Sequence, residues 1–182
     1  MELQRPIIYV YTICWNEEAF LPYFLKYYSQ FATKIILYDN QSTDRSLRIC
    51  SDFHSDTCEL QVITYNTYNQ IRDDVYLEIK NEVWKHSRGK CEWCIVVDID
   101  EIVYHPLGIT TYLSNLPTNV ALIQSVGYEM VSNTFFQNPD QPLVLPTEIC
   151  KTGVASHMLN KTNIFRPNLV NGINYYGGCH IC

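Results

Sequence analysis

The chain of 182 residues has no apolar run long enough to cross a bilayer, and no apolar segment of signal-peptide type follows a basic start. These absences set aside an integral membrane protein and leave no mark of export, so the expected location is the cytoplasm. Basic residues are also in short supply: 13 Lys and Arg stand against 19 Asp and Glu. The resulting formal net charge of −6 argues against a nonspecific binder of nucleic acid or of anionic membranes. No internal repeat, low-complexity tract or linker divides the sequence, so residues 1–182 are expected to form one domain. What the chain has in quantity is core material, 47% hydrophobic and 13% aromatic with 14 Tyr, which excludes a disordered segment.

Eight Cys are many, and two pairs have Cys-x-x-Cys spacing, Cys91 with Cys94 and Cys179 with Cys182. A structural zinc site built from them, with His180, is a competing expectation. Against it, the two pairs lie far apart and Cys94 falls inside an apolar strand. A disulfide framework is not expected in a chain able to build its own core. Most of the Cys are expected to be small buried residues.

Hydrophobic runs alternate with amphipathic segments. Ile7 to Ile13 reads as a buried strand, and Pro22 belongs in the first turn of a helix reaching about Gln30. Lys34 to Tyr38 reads as a second strand, followed by a helix with Leu47, Cys50 and Phe53 on one face. Glu59 to Thr64 is a third strand. Ile71, Val75, Ile79 and Val83 recur at steps of four along a helix from about Arg72 to His86. Trp93 to Val97 is a central strand, Ile109 to Leu116 a short helix, Val120 to Val126 a fifth strand, and Ile164 with Phe165 a last short one. This alternation implies βαβ units, hence an α/β, Rossmann-like fold with a mainly parallel central sheet flanked by helices. Ligands of such sheets lie beyond the carboxyl ends of the strands.

Polar residues gather at those ends. Asp98 and Asp100 follow the apolar run Trp93 to Val97, and an i, i+2 spacing puts both side chains on one side if the extended backbone persists. Two hard oxygen ligands there suit Mg²⁺ or Mn²⁺ and hence a phosphate-bearing ligand; the plain alternative is a solvated strand exit. Asn16, Glu17 and Glu18 end the first strand, where helix-dipole stabilisation explains the acids equally well. Asp39 opens the loop Asn40-Gln41-Ser42-Thr43-Asp44, and helix capping explains Ser42 or Thr43 but not Asp39. Arg72 opposes the dipole at a helix start, so a specific partner is expected to hold it. The three Pro at 139, 142 and 146 mark a long irregular segment of the kind that carries function.

The ordered set Cys14-Trp15-Asn16-Glu17-Glu18, Tyr38-Asp39-Asn40-Gln41-Ser42-Thr43-Asp44, Ile71-Arg72-Asp73-Asp74 and Val97-Asp98-Ile99-Asp100-Glu101 resembles the motifs of family 2-like nucleotide-sugar glycosyltransferases with a GT-A fold. Gly127-Tyr128-Glu129-Met130 and Gly178-Cys179-His180 add to the likeness. The resemblance implies a single GT-A-like domain that transfers a sugar, with inversion, from a nucleoside-diphosphate sugar donor to a glycan or other hydroxyl acceptor. It implies that the loop Asn16-Glu17-Glu18, through Asn16 and Glu18, borders the donor, that Asp39 recognises the nucleoside, and that Arg72 with Asp73 or Asp74 flanks the base and diphosphate. Asp98 and Asp100 become a DxD motif holding the diphosphate through Mn²⁺ or Mg²⁺, with His180 completing the metal shell. Asn40 replaces the second acid of the Asp-Asp-Gly-Ser pattern common in the family, and the sequence ends two residues after His180, as in a fragment or minimal core.

An inverting transfer needs a carboxylate near the acceptor hydroxyl to take its proton, and Glu129 and Glu148 are the candidates. Two other functions compete. A nucleotidyltransferase or sugar-nucleotide pyrophosphorylase would use similar carboxylates, but no Gly-rich, Arg- or Lys-bearing loop follows the first strand to cradle a triphosphate. A noncatalytic carbohydrate-binding module would bind no nucleotide in a metal-dependent way.

Overall fold

The computed structural model describes residues 5–132 and 143–176. Six strands form one sheet in the order β3-β2-β1-β4-β8-β5: β1 (Ile8–Cys14), β2 (Lys34–Asp39), β3 (Glu59–Thr64), β4 (Trp93–Val96), β5 (Leu122–Ser125) and β8 (Lys161–Phe165). Strands β1 to β4 pair in parallel, and β8 runs antiparallel between β4 and β5. β5 therefore points the same way as β1 to β4 without touching them. The fold is α/β with a mainly parallel sheet, as the alternation of elements implies. A separate antiparallel pair, β6 (Tyr128–Val131) with β7 (Thr152–Ala155), has no counterpart in the sequence reading.

The central strands are buried on both faces, so alternate residues feed two cores. Ile8, Val10 and Cys14 of β1, Ile35 and Leu37 of β2, and Trp93 and Ile95 of β4 face one cluster, shared with Leu21, Phe24, Leu25 and Tyr28 of α1 (Leu21–Tyr28). Helix α2 (Ser46–Ser51) and α4 (Ile109–Ser114) close that side through Cys50, Ile109 and Leu113. Tyr11, Ile36, Cys94, Val96 and Phe165 face the other cluster, against Trp84. Trp84 sits in a 3₁₀ turn (Val83–Ser87) that continues α3 (Asp73–Glu82), and its ring meets Phe165 edge-on at 4.7 Å. The fifth helix, α5, is a single turn (Pro146–Ile149).

Two helix faces depart from expectation. Leu47 lies outward, 40% exposed, because α2 is only six residues long and buries Ser46 and Cys50 instead. The Ile71, Val75, Ile79, Val83 stripe is not the buried face of α3. Ile71 precedes the helix and is 70% exposed, whereas the buried positions are Lys80 and, in the following turn, Trp84. A lysine at the buried position needs a partner, and it finds one at the end of β4.

Candidate functional site

The carboxyl ends of β1 and β2 are level, since Cys14 is opposite Asp39, and β4 ends three residues short of them, with Val96 opposite Tyr11. β1 lies between β2 and β4, where chain order reverses, the position at which open α/β sheets bind ligands. After β4 the backbone turns at once. Glu101 N–H donates to the Asp98 carbonyl at 3.1 Å, and the Asp98 N–H donates to Glu101 Oε2 at 3.1 Å. The extended backbone needed to put Asp98 and Asp100 side by side therefore stops at the first of them: Ile99 goes into the core, 5% exposed, and Asp100 into solvent.

Asp98 is held from two sides. Lys80 Nζ of α3 lies 2.5 Å from Oδ1, and Lys161 Nζ, at the start of β8, lies 3.4 Å from Oδ2 and also binds Glu101 Oε1. Both lysines are buried, at 6% and 3% exposed. Burial works to raise the Asp98 carboxyl, but the two ammonium groups outweigh it and hold it below the ordinary carboxylate range. Burial likewise opposes the charge on Lys161, and Glu101 and Asp98 reverse that effect, raising its pKa. The next residues are pinned by α1. Tyr28 Oη donates to the Glu101 carbonyl at 2.9 Å and accepts from Val103 N–H at 3.2 Å, while Tyr27 Oη donates to the Val103 carbonyl at 2.7 Å.

The exit loops of β1 and β2 are laced to each other. Asn16, at φ 58°, accepts from Thr43 N–H at 2.8 Å and Asp44 N–H at 3.3 Å, and its own N–H donates to Ser42 Oγ at 2.9 Å. Asn tolerates that left-handed backbone better than most residues. Glu18 accepts from Arg45 N–H at 2.9 Å, which lowers its carboxyl, and Glu18 N–H donates to Asp44 Oδ2 at 2.9 Å. Asn16 and Glu18, expected to border a donor, thus join two loops. Asp39 is 0% exposed, and its Oδ2 accepts from Ser42 N–H at 3.0 Å, closing the turn. Its Oδ1 is buried without a hydrogen-bond partner, so Asp39, expected to recognise a nucleoside, closes the exit turn of β2 with one oxygen only. Asn40, the departure from the family pattern, is 2% exposed and ties down the 65–70 loop through Thr67 N–H at 2.9 Å and Thr67 Oγ1 at 2.7 Å.

Glu17 is different from its neighbours. Its backbone is engaged, but no hydrogen bond or ion pair ties its half-buried carboxylate among the described residues. Burial and the charges of Asp100, Asp44 and Asp98 raise its pKa, which puts it on the acidic rim that Asp100 shares. At the far edge Arg72 has the partner that its position at a helix start demands. Its Nε and Nη2 grip the Asp74 carboxylate at 2.8 and 2.6 Å, drawing that carboxyl down to about 2. The pair is exposed and satisfied within the chain.

A groove of about 1140 Å³ is lined by Asp98, Asp100 and Lys161 together with Tyr23, Tyr104 and Tyr128. Neither proposed base lines it. Tyr128 and Met130 of β6 face the groove, and alternation along the strand turns Glu129 to the other side. Glu148 accepts from Leu145 N–H at 2.9 Å as part of the α5 cap. His180, with Cys179 and Cys182, lies outside the described residues. Cys91 and Cys94 are buried thiols with their sulfurs 3.6 Å apart, and among the described residues no group of three or more His, Cys, Asp or Glu is arranged to hold a metal.

Sequence reasoning missed Lys80, Lys161 and the part played by Glu101. A signal for the first two existed: carboxylates at the end of a fully buried strand require countercharge, and Lys80 stands one step off an apolar stripe. No helix among the described residues is long and apolar enough to cross a membrane. No family model and no curated protein matches the chain. Among solved structures, the crystal structure of 4-diphosphocytidyl-2C-methyl-D-erythritol synthase is similar at 8% identity with a TM-score of 0.37, covering 91% of this chain and 76% of that one.

Proposed function

We propose that the protein is a glycosyltransferase that binds a nucleoside-diphosphate sugar over the ends of β1, β2 and β4 and transfers the sugar to an acceptor hydroxyl in the adjoining groove. The observation that carries this reading is Asp100, an exposed carboxylate in a rigid turn at the chain-order reversal, opening onto the groove that also contains Asp98 and Lys161. Among the described residues Asp100 makes no hydrogen bond or ion pair, so its oxygens remain available.

Mn²⁺ or Mg²⁺ fits this donor chemistry in a limited way. Mg²⁺ is commonly held by one or two carboxylates, with water and substrate phosphates supplying the remaining ligands. Asp100 would hold it directly, while both Asp98 oxygens are already engaged by ammonium groups. When bound, such a cation neutralises charge on the leaving diphosphate. The aromatic side chains of Tyr23, Tyr104 and Tyr128 offer surfaces for the acceptor.

The test is calorimetric titration with UDP and GDP, with and without Mn²⁺, followed by UDP- and GDP-sugars. The expected result is metal-dependent binding that Asp100→Ala abolishes without a change in thermal stability. Metal-independent affinity, or full retention in Asp100→Ala, refutes the reading. Tight binding of a nucleoside triphosphate with release of pyrophosphate would favour a nucleotidyltransferase instead.

A further inference from the structure

Two lysines buried beneath an acidic strand exit are costly unless every charge is matched. Here the matching is complete within four residues. Lys80 and Lys161 supply two positive charges, and Asp98 and Glu101 two negative ones. The lysines reach the turn from different elements, one from α3 and one from β8, the sheet neighbour of β4. Glu101 closes the group by gripping both Lys161 and the Asp98 N–H. Asp100 lies inside this closed turn but outside its ion pairs.

We infer that Lys80 and Lys161 are positioning residues of the ligand site: they commit Asp98 to internal ion pairing and thereby fix the turn so that Asp100 alone of the two aspartates faces a divalent cation and the anionic ligand. The inference rests on the transferase reading and adds to it a division of labour between the two aspartates. A pair of equivalent metal ligands would need both carboxylates open to the cation. The geometry instead makes Asp98 the internal member and Asp100 the external one. Lys161 has the larger share in the positioning, because it bridges the first and last residues of the turn.

The test measures the gain in UDP or GDP affinity on adding Mn²⁺, at a temperature where each variant is folded, together with its melting temperature. Asp100→Asn is expected to lose the manganese-dependent gain with an unchanged melting temperature. Lys161→Met is expected to melt earlier and to retain a gain at least threefold smaller than that of the unaltered protein. The double variant Lys161→Met with Asp98→Asn is expected to show no further loss of gain than the worse single variant, since both act on one unit. Should Lys161→Met fail to fold, Glu101→Gln removes the same bridge without a change of volume and is expected to reduce the gain in the same direction.

A lysine with only a structural role would lower the melting temperature and leave the full gain, which overturns the inference. It is also overturned if Asp98→Asn abolishes the gain as completely as Asp100→Asn while Lys161→Met keeps it, the pattern of two metal ligands. If the unaltered protein binds neither nucleotide in a manganese-dependent way, the transferase reading itself falls and the inference with it.

Discussion

Lys80→Met tests the energetic core of the site without any ligand. The substitution keeps an unbranched side chain one atom shorter and removes one ammonium from Asp98, whose side chain is 31% exposed. Breaking a buried ion pair from one side costs about 3–5 kcal/mol, because the remaining charge is left uncompensated. Lys161 still reaches the other oxygen, and water has partial access, so about 2–4 kcal/mol is the expected loss. For a chain of this size each kcal/mol moves the melting temperature by about 2–4 °C, which gives a drop of roughly 4–16 °C. The pH dependence has a definite sign. The folded Asp98 carboxyl lies below its ordinary value, so its stabilisation is present above about pH 4 and disappears as pH falls through the folded value. The deficit of Lys80→Met should therefore be largest near neutral pH and shrink in acid. Chemical denaturation from pH 2 to 7 measures it, and adding Asp98→Asn should recover part of the loss. A deficit below about 0.5 kcal/mol, flat across that range, would show that the pair does not form.

Asp39→Ala should destabilise the fold by about 1–3 kcal/mol through loss of the acceptor for Ser42 N–H, while manganese-dependent nucleotide affinity stays within about twofold; a tenfold affinity loss at unchanged stability would assign it the nucleoside role instead. Gly127→Ala should cost about 1–3 kcal/mol, because a Cβ there would lie 2.4 Å from the backbone carbon of Leu159, and thermal melting reads it directly. Glu129→Gln should leave transfer activity within about twofold, as should Glu148→Gln, and a hundredfold loss in either would return that residue to the role of base.

The fold was legible wherever burial leaves only one solution. A run such as Ile8 to Cys14 is largely apolar on both faces, which requires a covered strand, and three such runs separated by helical segments leave a parallel sheet as the natural arrangement. The place of β8 was not legible. Its five residues, Lys-Thr-Asn-Ile-Phe, begin with three polar side chains, yet Lys161 and Asn163 are buried because one pairs with Asp98 and Glu101 and the other with Ser125. Local pattern cannot reveal partners supplied by strands about forty to sixty residues earlier.

For the site, residue type at a strand exit carried real information about location and much less about direction. Asp39, Asn16, Glu18, Asp98 and Asp100 do gather along the ends of β1, β2 and β4, as parallel-sheet topology demands. Each of the first four, however, meets the chain's own donors: Ser42, Thr43, Arg45 and Lys80 respectively. A carboxylate or amide that can bind a ligand can also close a loop, and the two uses have the same sequence signature. Accessibility separates them, and accessibility depends on backbone turns of one or two residues. The single turn from Asp98 to Glu101 sends one aspartate to the lysines and the next to solvent. Asp100 and Glu17 are thus the carboxylates on this edge with the least internal commitment, and the division between inward and outward acids locates the working surface more sharply than the motif does.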